Sequence, residues 1–187
     1  MDGVSRDLRL MVYSSLFAAL IAAGAFISIP VGPIPIVLQN MFVLLAGLFL
    51  GWKWGLASVS IYILAGVLGL PVFSSGGAGI GHIMGPTGGY LISYIPAVIL
   101  VGLISNPSHS EGLKEEKRAL LPDLIAMVIG SCMVYCGGVP WLKMVTGMSW
   151  NKAVAVGMIP FIIGDIIKIA AAVPIVRTLR PLMIKNS

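Results

Sequence analysis

The chain has 187 residues, of which 58% are hydrophobic and only 10% charged, and it carries a formal net charge of +5. A soluble domain has about 25% charged residues, so this composition, with a mean hydropathy of +1.00, excludes a soluble protein and indicates one integral membrane domain over residues 1–187. The positive charge does not signal nucleic acid, because the basic residues are spread over membrane flanks, as the positive-inside rule requires.

Residues 10–52 and 54–110 contain no Asp, Glu, Lys or Arg. Each run is longer than the roughly 20 residues of one crossing and must fold back. A first span is expected from about Leu10 to Ile29. That apolar run exceeds the roughly 7–15 residues of a signal-peptide core, so it reads as a span rather than a cleaved leader. Along it Ser15, Ala19 and Ala23 lie four apart, as do Ala18 and Ala22. Small residues at this spacing let helices approach closely in lipid, which suits either another protein or this chain's own helices.

The segment Pro30-Val-Gly-Pro-Ile-Pro35 is too rich in proline to continue a helix. A second span follows from about Ile36 to Leu50 and opens with two amides, Gln39 and Asn40. Gly47, Gly51 and Gly55 carry a small stripe through a tight turn. Trp52-Lys53-Trp54 places that turn at a membrane interface, and a third span is expected from about Gly55 to Leu70.

Pro71 to Tyr90 is dense in glycine and uncharged. It is no phosphate-binding loop, since the chain contains no Gly-Lys-Ser/Thr. Glycine permits positive φ and close approach of backbone to a ligand. Irregular backbone at membrane depth is tolerated only where it is buried or lines a cavity, so the segment is expected to form a lid or re-entrant wall. His82 within it has no companion ligands in view for a metal.

The fourth span is expected from about Tyr90 to Ile104, a solvated loop from Asn106 to Arg118, and a fifth span from about Leu120 to Leu142. Cys132 and Cys136 in the fifth span are expected to pack as small hydrophobes. The sixth span is expected from about Val154 to Leu179. Six spans put both termini on one side with Arg6, Arg9, Lys53, Lys114, Lys117, Arg118, Arg177, Arg180 and Lys185, and leave only Lys143 and Lys152 opposite. Nine against two makes both termini cytoplasmic. The proline segment, the glycine segment and the loop after Trp141 then face outward and cap a cavity.

The sixth span holds one acid and one base, Asp165 and Lys168, in an otherwise uncharged stretch from Ala153 to Val176. Residues three apart share a helix face, and an intramembrane charge costs about 2.5–3.5 kcal/mol unless it is paired or faces a cavity. The pair either fixes helix packing or forms a polar reading head. As a reading head it offers an acceptor and a donor without net charge, which suits a neutral group with both N–H and C=O, such as a urea, amide or pyrimidine.

Four motifs in order, Gly32-Pro-Ile-Pro-Ile-Val-Leu-Gln-Asn40, Gly69-Leu-Pro-Val-Phe73, Gly85-Pro-Thr-Gly-Gly-Tyr90 and Pro160-Phe-Ile-Ile-Gly-Asp-Ile-Ile-Lys168, resemble the BioY family, the biotin-binding S component of energy-coupling factor transporters. The resemblance implies an all-α bundle of six transmembrane helices in a prokaryotic plasma membrane. It implies biotin as transported ligand, no cofactor and no catalytic or metal-binding residues. Its partners would be a transmembrane coupling protein and a pair of cytoplasmic ATPases. By the same resemblance Asp165 and Lys168 read the biotin head, the loops around Gln39 and Tyr90 close over it, and Ala18, Ala19, Ala22 and Ala23 dock the coupling protein. Ser74, His82 and Thr87 are polar side chains of the glycine segment, and Ser74 and Thr87 join the expected substrate contacts. A ureido group donates two N–H and accepts at one C=O, which matches the pair. The valerate carboxylate needs donors, and backbone N–H groups of the glycine segment, Gln39, Asn40, Thr87 and Tyr90 are the candidates. A membrane enzyme would need a nucleophile and base or an acidic metal cluster, and a single intramembrane carboxylate with two isolated histidines supplies neither. A stand-alone carrier would be expected to show a two-fold internal repeat, and none is visible.

Overall fold

Helices make up most of the computed structural model, which describes residues 2–29, 34–105 and 120–185. Residues 30–33 of the proline segment and the charged loop Asn106–Arg118 lie outside the described residues. Helix α1 spans Asp2–Phe26. Two-residue strands β1 (Ser28–Ile29) and β2 (Ile36–Val37) then pair antiparallel, Ser28 opposite Val37 and Ile29 opposite Ile36. Pro35, just before β2, has no N–H to donate. The clasp delivers the chain directly into α2.

Helix α2 runs Gln39–Val67, with Gly51 at φ +72°, ψ −178° in its middle. A Cβ on Gly55 would lie 3.2 Å from the Ala46 carbonyl oxygen and from the Gly47 Cα. Residues eight apart along a straight helix are separated by about 12 Å, so the chain must reverse at Gly51. Glycine is required there because an L side chain resists that positive φ. The two limbs are the second and third predicted spans, but they run from Gln39 and to Val67 rather than from Ile36 and to Leu70. The described residues include five apolar helical stretches long enough to cross a membrane. With α2 folded at Gly51 they make a six-helix membrane bundle.

The glycine segment is more ordered than a lid of irregular backbone. It contains a 3-10 turn at Ser74–Gly76 and a short helix α3 at Ile80–Ile83. Phe73, wholly buried, meets Tyr62 edge-on at 5.6 Å between ring centroids and stacks on His82 at 5.1 Å. This anchors the segment on α2.

Helix α4 (Gly88–Ser105) packs on α5 (Leu120–Thr146). Gly89 makes room for Trp141, and Gly137 for Ser93. Such small residues allow close helix approach where lipid supplies no hydrophobic drive. Trp141 Nε1 donates to the Gly85 carbonyl at 2.9 Å and ties the glycine segment to α5. Cys132 and Cys136 are exposed rather than packed, because their shared face of α5 turns outward. The sixth predicted span is two helices, α6 (Trp150–Gly157) and α7 (Ile159–Lys185), broken at Met158. Pro160 sits in the first turn of α7, where its missing N–H costs nothing.

Candidate functional site

Asn40 reaches the site from the first turn of α2, Tyr135 from the middle of α5, and Asp165 and Lys168 from α7. Asp165 and Lys168 are both buried, 6% and 8% exposed, so neither charge is screened by water. Lys168 Nζ lies 3.1 Å from Asp165 Oδ1, the i, i+3 pairing expected of the sequence. Asn40 closes the ring: its Nδ2 donates to Asp165 Oδ1 at 2.8 Å, and its Oδ1 accepts from Lys168 Nζ at 2.8 Å. Tyr135 donates its hydroxyl to Asp165 Oδ2. The carboxylate thus accepts from three side chains.

Against this ring lies a small, partly open cavity. Asn40, Tyr135 and Lys168 form its polar floor, and Ile34, Val37, Leu91, Val134 and Phe161 contribute apolar wall. Asp165 does not itself line the cavity; its three partners cover it. Gln39, Ser74, Thr87 and Tyr90 complete the wall. All seven residues expected from the sequence to bind substrate therefore lie in or directly beneath one cavity, although their segments are far apart in the chain.

Their polar atoms are not equally available. Tyr90 donates its hydroxyl to the Gly157 carbonyl at 2.7 Å and braces α4 against α6. Thr87 Oγ1 is 3.3 Å from His82 Nε2. Burial lowers the His82 pKa from its ordinary value, so the ring is neutral at pH 7. Gln39, 1% exposed, has no hydrogen-bond partner for Nε2 among the described residues.

Tyr135 was not singled out from the sequence, because it stands alone among apolar residues. Its position on α5, the helix packed closely on α4, was the available signal. The α1 stripe divides in space. Ala18 is buried and Ala22 half-buried against the core, while Ser15, Ala19 and Ala23 are exposed. Ser15 Oγ is turned back onto the Met11 carbonyl at 3.1 Å, which leaves that face small and smooth.

A helical membrane bundle with a mostly apolar cavity on a polar floor, beneath short capping segments, is the architecture of a transporter's substrate-capture subunit. The fold superimposes on the crystal structure described as the S-component for biotin from an ECF-type ABC transporter, with TM-score 0.84 and 31% identity over 95% of this chain and 93% of that one. The sequence profile of the BioY family matches residues 2–185, and the chain belongs to that family. A Thermotoga maritima relative called biotin transporter BioY is 36% identical over 179 residues, 96% of this chain and all of that protein. One of the same name from Rhodobacter capsulatus is 38% identical over 176 residues, 88% and 89% of the two chains.

Proposed function

We propose that this protein takes up biotin as the S component of an energy-coupling factor importer. It binds the vitamin from outside the cell and delivers it together with a transmembrane coupling protein and a pair of cytoplasmic ATPases. The protein is a transport subunit and not an enzyme. The observation that carries the proposal is the buried ring of Asn40, Asp165 and Lys168 beneath an apolar cavity. The ring presents an acceptor and a donor side by side, the complement of a ureido N–H and C=O. The apolar wall suits the thiophane ring and aliphatic chain. Gln39, buried at the cavity wall with its amide beside the Tyr62 hydroxyl, is the donor we assign to the valerate carboxylate, with Ser74, Thr87 and Tyr90 beside it.

Both termini lie in the cytoplasm of a prokaryotic cell, by the distribution of Lys and Arg. The exposed Ser15, Ala19 and Ala23 face of α1 is the dock for the coupling protein, because small residues permit helix contact within lipid. Calorimetry on the detergent-purified protein is the test. Biotin should bind at one site per chain without ATP. Absence of heat with biotin, together with saturable binding of another vitamin, would reassign the substrate.

A further inference from the structure

The Asn40 carboxamide has the same H–N–C=O unit as the ligand assigned above. In the structure that unit already occupies the reading pair, with N–H on Asp165 and C=O on Lys168, each at 2.8 Å. The orientation of the amide follows from chemistry, since a lysine ammonium only donates and an ionised carboxylate only accepts. A second observation points the same way. Asp165 is absent from the cavity wall while its donors line it, and its Oδ1 already accepts from both Asn40 and Lys168. A head group in the cavity takes the place on Oδ1 beside Lys168 only if Asn40 withdraws.

We propose that Asn40 is a built-in surrogate for the ligand head group. It satisfies the buried pair while the site is empty and is displaced from Asp165 and Lys168 when the ligand's own N–H and C=O arrive. Tyr135 is less suited to the role, because its single hydroxyl bonds only Oδ2 and offers Lys168 nothing. Asn40 also sits in the first turn of α2, immediately after the β1–β2 clasp. The surrogate keeps two buried charges hydrogen-bonded in the empty protein, and it makes the ligand compete with an internal amide. This inference rests on the biotin reading for the ligand's identity, but the surrogate role is tested separately from it.

Removing a competitor strengthens binding, whereas removing a ligand contact weakens it. Asn40→Ala should therefore raise biotin affinity by about tenfold, the factor gained when the competent fraction rises from about a tenth to nearly all molecules. Acetamide should refill the vacated place and raise the melting temperature of Asn40→Ala without raising that of the unaltered protein. The unaltered protein gives an independent reading. The chain contains four asparagines, at 40, 106, 151 and 186, so selective 15N-asparagine labelling gives four side-chain amide signals. On biotin addition the Asn40 signal should shift toward a solvent-exchanging amide. Biotin binding that leaves this signal unmoved, or weaker binding in Asn40→Ala with no acetamide effect, overturns the surrogate and leaves the biotin reading standing. An unaltered protein that does not bind biotin overturns the ligand assignment, and the acetamide arm then still decides the surrogate.

Discussion

Asp165 accepts hydrogen bonds from three side chains and is balanced by one cation, so its loss acts in two ways. Asp165→Ala strands Lys168 in a buried site and removes an acceptor for the ligand N–H. Truncating one member of a buried charge pair costs about 2–5 kcal/mol of binding, and about 1.4 kcal/mol is tenfold. Biotin affinity measured by calorimetry should fall by roughly 30-fold or more. Asp165→Asn keeps the shape, and Tyr135 can turn from donor to acceptor, but the charge opposite Lys168 is gone. Its loss should approach that of alanine, because a buried ammonium without a counter-charge is costly. Tyr135→Phe leaves Asp165 Oδ2 without its donor. A lost hydrogen bond to a charged group is worth about 1.5–3 kcal/mol, so both thermal stability and biotin affinity should drop, the latter by about tenfold or more. Unchanged affinity in Tyr135→Phe would remove that hydroxyl from the site. Asp165 and Lys168 were legible in the sequence because charge is conspicuous in an apolar span. Asn40 was visible as an amide beside prolines. Tyr135 was not, since its partner lies 30 positions away on another helix and nothing local marks an aromatic residue as polar.

The glycine segment between α2 and α4 behaves as a packed element rather than a loose flap. A Cβ on Gly66 would run into the Phe73 ring, and one on Gly77 into His82. Gly66→Ala should displace Phe73 from its pocket, costing about 1–3 kcal/mol as overpacking does, and loosen Ser74 at the cavity wall. Lower thermal stability with weaker biotin binding is the expected result. His82 adds a dependence on pH. Burial lowers its pKa in the folded protein, so the unfolded chain binds a proton that the folded one resists. Stability is then full above the ordinary histidine value of about 6.5 and falls as pH drops below it. Thermal melts between about pH 7.5 and 5.5 should show this decline, and His82→Gln should flatten it. The sequence revealed that this glycine-rich segment would form a wall, and Ser74 and Thr87 do line the cavity. It did not reveal the order, which comes from Phe73 fitting against Gly66 on another element. The reversal at Gly51 was legible from its tryptophan and lysine flank. The break at Met158 was not, because Pro160 is equally at home inside the first turn of a helix that starts there.

At the scale of the whole molecule, the cavity and the α1 face proposed as the dock occupy different places. The cavity is built from α2, α4, α5 and α7, whereas the exposed small-residue face belongs to α1. Ala19→Trp combined with Ala23→Trp should leave biotin binding unchanged while abolishing ATP-dependent uptake and co-purification with the coupling protein. Ala18→Trp drives a bulky ring into the core, so binding and melting temperature should fall together. Parallel loss of binding and uptake in the Ala19/Ala23 variant would show that this face holds the chain together instead. The periodicity of α1 was legible from the sequence, but the face that points outward was not, because two stripes offset by one residue differ only in what the other helices cover.

The ring beneath the cavity holds one positive and one negative charge within 3.1 Å of each other. Displacement of this pair along the bilayer normal would therefore carry no net charge through the electric field, where a single uncompensated charge would exchange about 2.3 kcal/mol per 100 mV. A head group held by this pair would then be captured and released without the pair itself doing work against the membrane potential. Losing Asp165 would change this as well, since the remaining ammonium would make the subunit electrogenic and tie its occupancy to the energised state of the cell.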